Sequence, residues 1–192
     1  MVLEVEPQTP ESVKKIGEAM SDFIRQKEWR QALDASGFRY YKGESDFPLN
    51  DYIYYTRFAG ALGEDLVNKV CSCYISFLHK HEMHALQDAK HADGYIKNFM
   101  NCLHFSKYLY KTFPENDVAL SNYGLLYYSV LNETGLILFN AARKLEDRKL
   151  ENEMNILRRT SSIKARDLHL ALLNRRPEDV NARQRLKKMT EM

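Results

Sequence analysis

Four of the six histidines crowd into one stretch, His79 to His91, read as HKHEMHALQDAKH. His84, Asp88 and His91 are spaced i, i+4, i+7, which on a helix would put them on one face. His81 could join from the turn before. Imidazole and carboxylate are ordinary zinc ligands. The spacing is not that of a zinc hydrolase: His81-Glu82-Met83-His84 is one residue short of HExxH. The segment 79–91 therefore reads first as a polar connection, and no metal or other cofactor is expected. The three cysteines, Cys71, Cys73 and Cys102, show no CxxC spacing, and on a helix Cys71 and Cys73 would point about 200° apart. They fit reduced, packed thiols. G-x-S-x-G, P-loop and G-x-G-x-x-G motifs are absent from the sequence, and the adjacent pairs Glu64-Asp65 and Glu146-Asp147 read as solvated helix ends. No catalytic residue is expected, and the chain does not read as an enzyme.

Charge is uneven. The whole chain carries +2, but residues 1–140 hold 14 basic against 18 acidic side chains and residues 141–192 hold 14 against 8. Arg158, Arg159, Arg175, Arg176, Arg183 and Lys187 could form a surface for an anionic partner, nucleic acid included. The plainer reading is that long helices need charged outer faces. The opening MVLEVEPQTP has no apolar run, which reads as no signal peptide, and no stretch approaches the ~20 apolar residues that cross a bilayer. A cytoplasmic or nuclear protein is expected.

The elements that must position these residues are helices. Hydrophobic residues make up 44%, with only 8 Gly and 5 Pro, too few for a turn-rich β domain. Residues 1–9 read as an acidic leader. Thr9-Pro10 gives an N-cap and a first-turn proline, and Val13, Ile16, Met20, Phe23 and Ile24 follow at helical spacing. A second helix is expected through Leu33 to about Tyr41. Residues 51–81 read as two helices or one kinked helix. A further helix spans about Asp93 to Thr112 and stops before Pro114. Helices then flank the Asn132-Glu133-Thr134 turn. In 146–178, a cap at Ser161-Ser162 is expected to divide two helices before Pro177. Residues 179–192 read as a polar capping helix.

Several of these segments resemble tetratricopeptide (TPR) hairpins. Phe23, Glu28-Trp29 and Ala32 occupy the aromatic, acidic-aromatic and small places of that motif. Leu120, Tyr123-Gly124 and Tyr127-Tyr128 resemble its first helix, and Gly135, Phe139 and Ala142 its second. Cys102 to Pro114 and Ala165 to Pro177 show the same small-to-proline interval, and the two prolines lie 63 residues apart, near two ~34-residue periods. The resemblance covers residues 12–42, 93–145 and 146–178, while the segment 43–92 does not fit the repeat. The run Phe113-Pro114-Glu115-Asn116-Asp117-Val118, with Asn122 and Tyr127-Tyr128, also resembles the repeats of the leprecan and cartilage-associated protein family, which we read as a general TPR feature.

That resemblance implies an all-α, right-handed superhelix of stacked antiparallel hairpins over residues 10–178, with a concave groove. The chaperone-tail clamp of such proteins is missing: its places hold Gly17 and Ser21, then Ser121 and Leu125. The groove candidates are Tyr95, Tyr123, Tyr127 and Tyr128, most of which are expected to be interhelix core. The function expected is a non-catalytic adapter in a larger assembly with a protein partner. RNA binding through the basic C-terminal third is the alternative.

Overall fold

The computed structural model describes residues 8–44, 47–48 and 50–191. Most of the acidic leader lies outside them. The protein is all-helical, and no strand occurs among the described residues. The order is α1 (Pro10–Arg25), α2 (Trp29–Ser36), α3 (Tyr52–Leu62), α4 (Glu64–His81), a 3-10 turn (Glu82–Leu86), α5 (Ala89–Thr112), α6 (Asp117–Leu131), α7 (Glu133–Lys144), α8 (Arg148–Arg175) and α9 (Val180–Thr190).

Short polar side chains set most helix starts, as the exposed first-turn N–H groups require. Thr9 accepts from Ser12 N–H, Asp51 from Tyr54, Asp88 from His91, and Asp179 from Ala182. Asn116 and Asp147 each accept two N–H groups. Residues 51–81 are two helices. They are separated by Gly63 alone, whose φ of 79° suits a residue without a Cβ.

The second helix ends at Ser36, five residues before the expected Tyr41. The backbone from Phe38 to Tyr41 instead leaves the helix and runs irregularly against α5. Asn98 accepts from Tyr41 N–H (2.9 Å) and donates to Tyr41 C=O (3.0 Å), while Asn101 donates to Arg39 C=O (3.2 Å). Two asparagine amides thus replace the helix's own hydrogen bonds. Phe38 then inserts among Phe58, Tyr74 and Phe105, with ring centroids 4.5–5.4 Å apart. Tyr55 of α3 joins them by donating to Asn101 Oδ1 at 2.6 Å. Phe38 and the rings of α3 thus form an aromatic plug wedged against α4 and α5.

Cross-contacts give the helix directions. Gly17 faces Leu66, and Ser21 meets Lys69, so α1 and α4 run parallel. Asn116 bonds Glu64 and Asn122 bonds Ser72, so α4 and α6 also run parallel. Cys71 meets Cys102 while Glu82, just past the end of α4, meets Tyr95, so α5 is antiparallel to α4. The helix α8 differs from expectation. It is one 28-residue helix running straight through Ser161-Ser162, about 42 Å long. Ser161 caps nothing; it is fully buried and its hydroxyl donates to Leu157 C=O at 2.6 Å within the helix. This helix lies antiparallel along α6. Arg175 near its end ties to Pro114 C=O (2.7 Å) and lies near Asp117 (3.8 Å). Halfway along, a Cβ added to Gly124 would sit 3.3 Å from Leu168 Cβ and 3.2 Å from His169 Cε1, so the bare glycine lets the two helices close up.

Candidate functional site

The tyrosines proposed for a groove are mostly packing. Tyr95, Tyr123 and Tyr127 are 5 %, 4 % and 8 % exposed, and Tyr128 is half-buried. The structure brings Tyr123 and Tyr127 together, with hydroxyls 3.3 Å apart, and stacks Tyr123 on Tyr110. Tyr128 lies against the buried His169. Tyr95 is elsewhere, about four turns back along α5 from Tyr110, and its hydroxyl donates to Glu82 (3.3 Å). Burial pushes the Tyr95 and Tyr123 phenols well above their ordinary value. A single exposed groove of these four rings does not form.

The basic residues divide into two groups. Four are engaged, three around the α8–α9 corner and Lys187 at the far end of α9. Arg175 holds the start of α6, Arg176 pairs with Glu178, Arg183 donates to Pro177 C=O, and Lys187 pairs with Glu191. Arg158 and Arg159 are exposed on the middle of α8 and make no ion pair among the described residues. Arg166 lies 3.7 Å from Asp167, with both side chains about 60 % exposed (62 % and 61 %), a pair too solvated to hold it in place.

Those arginines sit on a patterned face. Ile156 and Ile163 are each 62 % exposed and Leu170 is 46 % exposed. The three recur every seven residues, so they line up along one side of α8. Arg159 and Arg166 follow the two isoleucines at i+3, and partly buried Leu173 follows Leu170 at the same step. The result is an a/d-type seam, Ile156-Arg159-Ile163-Arg166-Leu170-Leu173, about 25 Å long. The opposite face of the helix is buried through Met154, Ser161, Ala165, Leu168, His169 and Leu172. The sequence carried this signal as a second heptad offset from the core positions. It goes unseen when 146–178 is cut at Ser161.

The histidine segment folds differently from a one-face ligand set. His84 lies in the 3-10 turn, Asp88 is the N-cap of α5 and His91 is in its first turn. Asp88 Oδ1 accepts from both the N–H and the Nδ1 of His91, at 2.8 Å each. No group of three His, Cys, Asp or Glu that could hold a metal occurs among the described residues. All three cysteines are buried and free. Burial raises the Cys73 thiol to about 12 and Cys102 well above its usual value, which keeps them as unreactive thiols at neutral pH.

No helix among the described residues is long and apolar enough to cross a membrane. Compared with known proteins, the chain matches no family model, no curated protein and no solved structure.

Proposed function

We propose that this chain is a non-catalytic, TPR-like scaffold whose docking element is the exposed seam of α8. The parallel run of α1, α4 and α6, with α5 returning antiparallel beside α4, supports TPR-like stacking at the N-terminal end. The long α8 then closes the stack by lying antiparallel on α6, where a further repeat would place a parallel helix.

The observation that carries the reading is the alternation of exposed apolar and arginine residues over the seam. Burying a leucine-sized side chain contributes about 1.5–3 kcal/mol, so three exposed ones form a usable contact line. Arginines interleaved with them demand carboxylates opposite. The occupant that meets both demands is an amphipathic helix, apolar at heptad spacing with Glu or Asp at the intervening positions.

Two designed peptides test this. One carries that pattern with glutamates, the other the same apolar residues with lysines. Fluorescence anisotropy should show saturable binding of the acidic peptide alone, lost in the Ile163→Ser and Arg159→Glu variants. Equal binding of both peptides would refute the proposal. So would self-association of the chain through α8, or RNA binding that falls steeply with salt and ignores Ile163→Ser.

A further inference from the structure

A second surface lies away from the α8 seam, where α2, the segment 38–43, the end of α4 and the start of α5 meet. The cleft there has a volume of about 470 Å³, within the ~300–1,000 Å³ usual for small-molecule sites. Its floor is aromatic: Tyr40, Phe77 and Tyr95 are each buried to more than nine-tenths. Its walls are cationic, with Arg30, Lys42 and Lys90 beside the imidazoles of His81, His84 and His91. Those three rings stand in a row, with centroids 5.9 and 6.2 Å apart.

No carboxylate lines this cleft among the described residues. The nearby acids are turned to other partners. Asp34 receives Lys42 Nζ and the Tyr40 hydroxyl, Asp88 receives His91, and Glu82 receives Tyr95 and Thr134. Lys42 and His91 are thereby partly neutralised. Among the described residues, Arg30 and Lys90 make no ion pair and the His84 side chain makes no hydrogen bond. His81 is held below its ordinary pKa, chiefly by burial and then by its neighbours His84, Lys80 and Arg30. Arg30 and Lys90 stand over an aromatic floor with no ion-pair partner among the described residues, which leaves the place of an anion open.

We infer that this cleft binds a small organic phosphate, its phosphate group held by Arg30, Lys90 and the histidine row and its apolar part resting on the tyrosine and phenylalanine floor. Arginine and protonated or N–H-bearing imidazole suit phosphate oxygens. The aromatic floor gives an organic phosphate contacts that inorganic phosphate cannot use.

Phenyl phosphate and inorganic phosphate are the probes, titrated by calorimetry into the full chain and into Arg30→Gln/Lys90→Gln. Both substituted residues are exposed, and circular dichroism checks that the variant stays folded. A charge-matched control, Lys15→Gln/Lys188→Gln, lies outside the cleft. Phenyl phosphate should bind saturably, at least tenfold tighter than inorganic phosphate. The cleft variant should lose tenfold or more, and the control should not change. The imidazole NMR signals of His81 and His84 should shift on titration while that of His104 stays still. Absence of saturable binding at millimolar probe would overturn the inference. Equal losses in the two double variants, or shifts that spare His81 and His84, would do the same. None of these outcomes bears on peptide docking at α8, so the two proposals stand or fall separately.

Discussion

Placing a proline at Ser162 distinguishes a continuous α8 from a helix break at Ser161-Ser162. In the continuous helix the Ser162 N–H bonds the Arg158 carbonyl one turn back. Proline removes that donor, and its ring collides with the same carbonyl, costing ~3 kcal/mol or more. Ser162 is exposed, so no packing change complicates the comparison. For a chain of this length each kcal/mol moves the melting midpoint by about 2–4 °C, so Ser162→Pro should lose about 6–12 °C. Ser162→Ala is the control and should gain a few tenths of a kcal/mol from helix propensity, roughly 0.5 at most. Were Ser161 an N-cap, Ser162 would be the first helical residue, where proline is welcome. Thermal melts followed by circular dichroism decide the matter. A Ser162→Pro loss below about 1 kcal/mol would refute the single helix, since an interior proline costs about three times that. The seam argument would fail with it, because Ile156 and Leu170 line up only along an unbroken axis. If the fold survives at the lower midpoint, the acidic peptide should still bind more weakly, since a kink swings one end of the seam away.

Other variants probe the same packing. Gly124→Ala and Gly60→Ala both gain helix propensity, by up to about 1 kcal/mol, but the new methyl meets Leu168 and His169 at the first site and open space at the second. Melts should rank Gly60→Ala above Gly124→Ala by about 1–3 kcal/mol, and equal effects would contradict the close approach of α6 and α8. Asn98→Ala strips partners from Tyr41 N–H, Tyr41 C=O and the Tyr74 hydroxyl. It should cost about 2–4 kcal/mol in urea denaturation. Stability should also fall on acidification below about pH 6.5. His169 is 1 % exposed and held below its usual pKa, mainly by burial, so below pH 6.5 the unfolded chain gains a proton that the folded chain refuses. The slope is at most about 1.4 kcal/mol per pH unit, and it should shrink in His169→Leu; an unchanged slope there would contradict the assignment.

Helix-forming stretches were legible wherever one periodicity ruled. The Thr9 cap, the prolines and the spacing along α1 and α6 are local signals, and the structure follows them. Misreadings came where a distant group overruled a local one. Phe38 to Tyr41 looks like the end of a helix until Asn98 and Asn101, about 60 residues away, offer their amides to the backbone. Ser161-Ser162 looks like a cap, but buried Ser161 satisfies its hydroxyl within the helix. His84, Asp88 and His91 share a face only if one helix carries them all, and Asp88 instead begins a helix of its own. The cleft was out of reach for a related reason. Its walls come from Arg30, Lys42, His84 and Lys90, which no single helical period connects.

The arginines of α8 explain how such a seam can stay exposed without self-pairing. An uninterrupted apolar heptad would invite a second copy of the chain. With Arg159 and Arg166 in the line, a parallel copy puts each arginine beside its own counterpart. An antiparallel copy centred between Ser162 and Ile163 puts Arg159 beside the other copy's Arg166. Both orders force like charges together in a partly dehydrated contact, which costs far more than it does in open water. An acidic helix turns the same positions into attractive pairs. The residues that weaken the seam as a general apolar surface are therefore those that select its partner, and discrimination rests as much on what they repel as on what they attract. Arg159→Leu/Arg166→Leu separates these roles: the acidic peptide should lose its advantage over the lysine peptide, and analytical ultracentrifugation should show dimers that the unaltered chain does not form. A variant that stayed monomeric and kept its preference for the acidic peptide would show that the arginines play no part in selection.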